Sequence, residues 1–208
     1  LLVPLNDPAF RLNLLSAING ALAVGLLYLV ARQLAVSRLA ALVAALIFSV
    51  GQTFWSQAVI AESYTTQMLL VAAILWFTLR YATRKTQNDL YLLAFTMGLG
   101  LTHHRLILLL YPAIAIYVLL INRSILRDFK TLARAALLFL APLVLYLYLP
   151  LRGNVGSADG TYENTFLGFI AWILAQQYTV FLTSNPLAVQ HDAVYYWGLF
   201  QNQFTLAG

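Results

Sequence analysis

Between Arg11 and Arg32 the chain carries no charged side chain. Five more such runs follow: Arg38 to Glu62, Glu62 to Arg80, Asp89 to His103, Arg105 to Arg123 and Arg134 to Arg152. A helix crossing a bilayer needs roughly 20 mostly apolar residues, with about 17 as the lower limit. Five of the six runs meet that length, and the Asp89–His103 run meets it only with its flanks. With 62% hydrophobic and 9% charged residues, a water-soluble fold of 208 residues could not hide its apolar surface. Lipid is the expected solvent, which excludes a soluble enzyme, a nucleic-acid binder and a disordered tail. Backbone groups in hydrocarbon must pair internally, and the composition does not suit a barrel. The expected fold is therefore all-α, a polytopic bundle of about six spans near residues 12–32, 39–56, 65–83, 88–104, 105–122 and 133–150.

Lys and Arg set the expected direction. One set of loops holds Arg32, Arg38, Arg80, Arg84, Lys85, Arg123, Arg127, Lys130 and Arg134, and the other holds Arg11, Arg105 and Arg152. Nine against three places the first set in the cytoplasm. Asn122-Arg123-Ser124 matches a glycosylation sequon but falls on that side, where it would go unused. Residues 1–11 then read as the end of an exoplasmic loop, 12–150 as the transmembrane region, and 151–208 as an exoplasmic loop with interfacial helices. Within that loop, 165–182 is apolar and aromatic but holds Gln176 and Gln177, and an interfacial helix is preferred to a seventh span. Ser184-Asn185-Pro186 should break it, and a short aromatic helix near 192–204 should follow. The absence of an initial Met and an apolar Leu1–Leu5 start suggest a piece of a longer protein. Small residues Ala17, Ala21 and Gly25 propose a close-packing stripe on the first helix. Gly98 and Gly100 are the candidate helix break.

The unusual side chains gather at the exoplasmic boundary: Asp7, Arg11, Asn13, Gln57, Glu62, His103, His104, Arg105 and Arg152. Its cations oppose the topology rule that accounts for the cytoplasmic ones, so they need another reason. Arg forks suit phosphate oxygens, and His donates or titrates. Arg11, His103, His104, Arg105 and Arg152 are thus candidates for an anion site, although each is also explained as a polar turn or a snorkelling side chain. Glu62, at the start of a helix, either complements the positive helix end or orients a substrate hydroxyl. Adjacent histidines do not share a helix face, so a two-His metal site is weak. With no cysteine in the chain, thiolate chemistry is excluded. No phosphate loop or nucleophile elbow is present.

Four stretches carry a resemblance. They are Asp7-Pro8-Ala9-Phe10-Arg11-Leu12-Asn13-Leu14-Leu15-Ser16-Ala17, Phe54-Trp55-Ser56-Gln57-Ala58 through Ala61-Glu62-Ser63-Tyr64-Thr65, Gly98-Leu99-Gly100-Leu101-Thr102-His103-His104-Arg105, and Tyr148-Leu149-Pro150-Leu151-Arg152. In this order they resemble the GT-C superfamily of integral-membrane glycosyltransferases. Within it, they resemble the multi-pass family that includes an animal protein O-mannosyltransferase. The Trp-Ser-Gln and Ala-Glu-Ser-Tyr-Thr block is the most specific, and 153–208 matches only loosely.

The resemblance implies an enzyme that moves a sugar, mannose first among candidates, from a polyprenyl-phosphate donor to a protein or glycan hydroxyl on the exoplasmic side. It also implies an acidic catalytic base and a His-Pro-Pro-Gly stretch in a loop that would precede Leu1. This chain alone should then be inactive. Arg152, His103, His104, Arg105 and Arg11 would serve the donor phosphate, and Glu62 would orient. No cofactor is implied with certainty, a divalent metal is left open, and no metal ligands are assigned. A prokaryotic plasma membrane is the expected location, with endoplasmic reticulum the alternative. A flippase or transporter of a lipid-linked anion, and a non-enzymatic scaffold, are the competing readings. The transporter reading would require broken helices or polar groups at mid-membrane.

Overall fold

The structure, a computed structural model, describes residues 7–156, 162–176, 179 and 192–204. It is built of helices, and it divides into two compact units, Leu1–Pro142 with Phe200–Gly208, and Leu143–Leu199. The Leu1–Leu5 start, the 184–186 break and the last part of the 165–182 helix lie outside the described residues.

In the first unit, α1 spans Pro8–Gln33. Asp7 caps it by accepting from the Ala9 N–H at 2.9 Å, and Pro8 sits at the first helical position, where no N–H is needed. Its buried stripe is Ser16, Gly20 and Ala23, packed toward α4 (Tyr64–Arg84). The expected stripe of Ala17, Ala21 and Gly25 is instead exposed, and a methyl placed at Gly25 would meet no other part of the chain within 4 Å. The two stripes differ by about one residue. Polar groups decide between them: Ser16 Oγ donates to the Glu62 carbonyl at 3.2 Å, and Asn19 donates to the Thr66 hydroxyl at 2.7 Å. A polar side chain left facing hydrocarbon would be costly, so the helix turns that face inward.

The helix expected near 39–56 is two helices, α2 (Arg38–Val50) and α3 (Gln52–Ala58), bent by 67°. Gly51 between them is extended (φ −58°, ψ 132°). The break thus falls at Gly51, while Gly98 and Gly100 lie inside an unbroken α5 (Gln87–His103).

Two buried clusters hold α4, α5 and α6 (Tyr111–Ile121) together. One contains Leu70, Ile74, Leu93, Ile107, Tyr111 and Ile114, and the other Tyr81, Leu90 and Ile125. The Tyr111 hydroxyl donates to the Met97 carbonyl, and its ring meets Phe139 edge-on at 6.1 Å. A tight turn joins α4 to α5. Lys85 closes α4 in the left-handed conformation (φ 51°). Thr86 caps α5 by accepting from the Asp89 N–H at 3.2 Å and donates to the Asp89 carboxylate at 2.8 Å. Asp89, 1% exposed, pairs with Arg80 at 2.7 Å, and that guanidinium lies 4.7 Å over the Trp76 ring. Asn122 donates to the Tyr81 hydroxyl at 2.9 Å, which occupies the nitrogen a glycan would need. Asp128 caps α7 (Phe129–Leu140) through the Thr131 N–H, and hydrogen bonds from Thr131 hold its carboxyl below the usual range.

Among the described residues, three helices are long and apolar enough to cross a membrane: Pro8–Gln33, Tyr64–Arg84 and Phe129–Gly153. The bent α2–α3 pair makes four if it is one span. These correspond to four of the six expected spans. The other two, α5 and the helical run Arg105–Ile121, have 17 residues each. At about 1.5 Å per residue α5 reaches about 26 Å, and the second run, whose first six residues are 3₁₀ at about 2.0 Å each, reaches about 28 Å, both short of a hydrocarbon core of about 30 Å.

In the second unit, α8 covers Tyr148–Gly153 and α9 covers Phe166–Ile173, with Thr165 accepting from the Gly168 N–H at 3.0 Å as its cap. A further helix, α10 (Ala193–Phe204), lies where the aromatic segment was expected.

Candidate functional site

Two turns of the first unit meet. One is the irregular segment between α3 and α4, where Glu62 N–H donates to the Ile60 carbonyl at 2.9 Å. The other begins at the end of α5, where His104 is extended (φ −151°, ψ 127°) and a 3₁₀ turn, Arg105–Leu110, starts. His103 Nε2 lies 2.9 Å from the Ser63 carbonyl oxygen. A carbonyl only accepts, so Nε2 carries the proton there. The rings of Tyr64 and His104 lie 6.4 Å apart.

Glu62, His103 and His104 are therefore brought into one place. Ser16 holds the Glu62 turn from the α1 side through its backbone carbonyl, while the Glu62 side chain is exposed. Arg11 lies five residues before Ser16 on the same helix, and both Arg11 and Arg105 are half-buried. Arg152 belongs to the second unit, where it is exposed and Nη1 donates to the Gly156 carbonyl at 3.2 Å.

His104 differs from its neighbour. Burial, and then the charges of His103 and Arg105, push its imidazole below the ordinary 6.5. At neutral pH the ring is uncharged. Its Nδ1 accepts from the Leu106 N–H at 3.3 Å, so the proton sits on Nε2. The turn thus offers a neutral N–H donor from His104 beside the fixed charge of Arg105. His103 spends its Nε2–H on Ser63 and works as the pin between the turns.

Beside this site lies a cavity of about 540 Å³ between α2, α3 and α4, whose lining includes Phe48, Phe54, Gln57, Tyr64, Thr65 and Met68. It sits where α2 bends into α3. Gln57 stands out in the sequence as a boundary polar residue; Thr65 and the cavity do not, because a single Gly51 gives no clear break signal. Among the described residues, no group of three His, Asp or Glu could hold a metal ion.

Comparisons bear on this arrangement. The family described as "Protein O-mannosyl-transferase TMEM260 N-terminal domain" matches residues 1–126. The mouse (Mus musculus) protein named "Protein O-mannosyl-transferase TMEM260" is 29% identical over 188 residues, covering 86% of this chain and 27% of its own length. The chain thus spans about a quarter of that relative. No solved structure matches. Both meeting turns, Glu62–Tyr64 and His103–Arg105, lie inside the matched 1–126 segment, whereas Arg152 lies beyond it.

Proposed function

The chain belongs to the protein O-mannosyl-transferase TMEM260 N-terminal domain family, and from that premise we propose that it is the membrane-embedded N-terminal part of a glycosyltransferase of the GT-C type. In this reading all six apolar segments sit in the membrane, with the two short ones sheltered by their neighbours. The turns holding Glu62 and His103–Arg105 face the exoplasmic side. The intact enzyme moves a sugar, mannose by analogy with the named relative, from a polyprenyl-phosphate donor to an acceptor hydroxyl.

The observation that carries this reading is the contact of His103 with the Ser63 carbonyl, which sets a cationic turn against a carboxylate turn. A lipid phosphate leaves with its negative charge and needs positive charge and N–H donors where that charge develops. Arg105 supplies the charge, His104 the donor and Arg11 a second cation, while Arg152 is assigned to the donor phosphate by the family resemblance alone. His103 positions the turn. Glu62 orients substrate, and the base comes from elsewhere in the intact protein.

Replacing Arg105 or Arg152 by alanine in the intact protein should lower transfer from a polyprenyl-phosphate sugar about a hundredfold, a usual loss for one oxyanion-stabilising donor. The amount of folded protein should not change. Undiminished transfer in both variants would remove both assignments.

The bend at Gly51 favours a second reading, a flippase for a lipid-linked anion, because broken helices mark such proteins. That reading predicts donor movement across a vesicle wall without release of the sugar. The charge-free lining beside the break argues against an anion passing there.

A further inference from the structure

We propose that the two turns joining α4 to α5 and α6 to α7 form a docking surface for anionic phospholipid headgroups. The proposal rests on where the spans end and on none of the residues assigned to transfer.

The two turns belong to one membrane boundary. One candidate span ends at Arg84 and another begins at Phe129. Gln87 donates to the Thr131 hydroxyl at 2.9 Å and Asn122 to the Tyr81 hydroxyl at 2.9 Å, so the end of α4 and the start of α7 are tied. Tyr81, Leu90 and Ile125 join the same segments in a buried cluster. Arg84 and Lys85 stand on the first turn, and Arg123, Arg127, Lys130 and Arg134 on the second and the start of α7. All six are exposed. Asp128 is the acid within 123–134, and its carboxylate caps α7. Asp89, the acid beside the first turn, is buried against Arg80. Among the described residues, none of the six cations pairs with a carboxylate.

The topology rule accounts for the sign of this face. It does not call for large apolar side chains set among unpaired cations. Leu126 is 57% and Phe129 78% exposed, and both lie between the cations along the chain. That mixture selects the partner. A free anion would leave Leu126 and Phe129 bare, and a neutral lipid would leave the cations without counter-charge. An anionic phospholipid answers both: its headgroup meets Arg and Lys, and its acyl chains meet Leu126 and Phe129. An acidic protein would match the charge, but the span starting at Phe129 sets the patch at headgroup level, where lipid is the standing neighbour.

The test is photolabelling of the intact protein in phosphatidylcholine nanodiscs that carry a trace of a diazirine-tagged lipid. The tagged lipid is phosphatidylserine or phosphatidylcholine with the same acyl chains. Phosphatidylserine should label residues 123–134 about tenfold more, well under the product of four cations worth about fivefold each. Raising the salt from about 0.1 M to about 1 M, which shortens the screening length from about 10 to about 3 Å, should remove most of that preference. Arg123→Gln, Arg127→Gln, Lys130→Gln and Arg134→Gln together should erase it and keep the phosphatidylcholine labelling. Arg123→Lys, Arg127→Lys and Arg134→Lys together should retain it. Equal labelling by the two lipids in the unaltered protein would overturn the surface, and that comparison stands even if the neutralised variant fails to fold. Loss of the preference to added inorganic phosphate at constant ionic strength would overturn it in favour of a free-anion site. Loss to polyglutamate under the same condition would overturn it in favour of an acidic protein partner. A failed transfer assay would strike the transferase reading and leave this result standing.

Discussion

Removing the Arg80 side chain should destabilise the first unit by about 3–5 kcal/mol, the usual cost of leaving one member of a buried ion pair alone. Asp89 is 1% exposed and pairs with Arg80 at 2.7 Å, so Arg80→Ala strands a carboxylate inside the α4–α5 packing. The loss has a second source, because the guanidinium also lies over Trp76 and covers part of its ring. The Thr86 hydroxyl would still donate to Asp89, but one neutral donor does not replace a cation. The check is the unfolding midpoint of the intact protein in detergent, for Arg80→Ala, Asp89→Asn and the pair. The double variant should be more stable than Arg80→Ala alone, since it no longer buries a lone charge. If the two substitutions simply add, the ion pair contributes little and the helices hold without it.

Gly98→Ala should cost about 3 kcal/mol, the upper part of the usual range for overpacking. A methyl at Gly98 would overlap the Phe139 carbonyl group, which is backbone in α7 and cannot rotate away as a side chain would. The two helices would have to separate, and the edge-on contact of Tyr111 with Phe139 would open with them. Gly25→Ala is the matched control. Nothing lies within 4 Å of its new methyl, and alanine is the better helix former by up to about 1 kcal/mol. The same detergent melt reads both variants. Equal effects would show that α5 and α7 are not in close backbone contact.

The helix ends were readable because charges mark them. Arg38, Arg84 and the Thr86–Asp89 pair stand where α2 begins, α4 ends and α5 starts. Treating Arg80 and Asp89 only as boundary markers hid their meeting across the tight turn at Lys85. The α1 stripe was misplaced by one residue because apolar residues surround the helix, so only Ser16 and Asn19 distinguish a face. In a membrane protein polar residues show which side packs, and apolar ones say little. Six spans were expected from charge-free length, but length along the chain is not helix: Gly51 cuts one span and 17-residue helices shorten two.

The site was half legible. Glu62 and the His103–Arg105 turn stood out by their charge at an apolar boundary. That they touch did not, because His103 reaches a main-chain carbonyl, and main-chain partners leave no trace in residue identity. The resemblance to a transferase family rests on the same residues, and the family match covers 1–126. Thr65 carried no signal because a Thr near a helix start is ordinary.

The bond from Ser16 to the Glu62 carbonyl has a consequence for genetics. The turn is gripped by an atom that every amino acid possesses, so the side chain at 62 can be exchanged without loosening the loop. Alleles at this codon therefore report on the carboxylate itself. A Gln allele and an Ala allele should assemble alike and differ only in what they do. Alleles at codon 16 should do the reverse, moving the loop while leaving every charge in place. Few positions in so apolar a chain separate architecture from chemistry so cleanly, and the two codons together make a ready pair for sorting inherited loss of function into its cause.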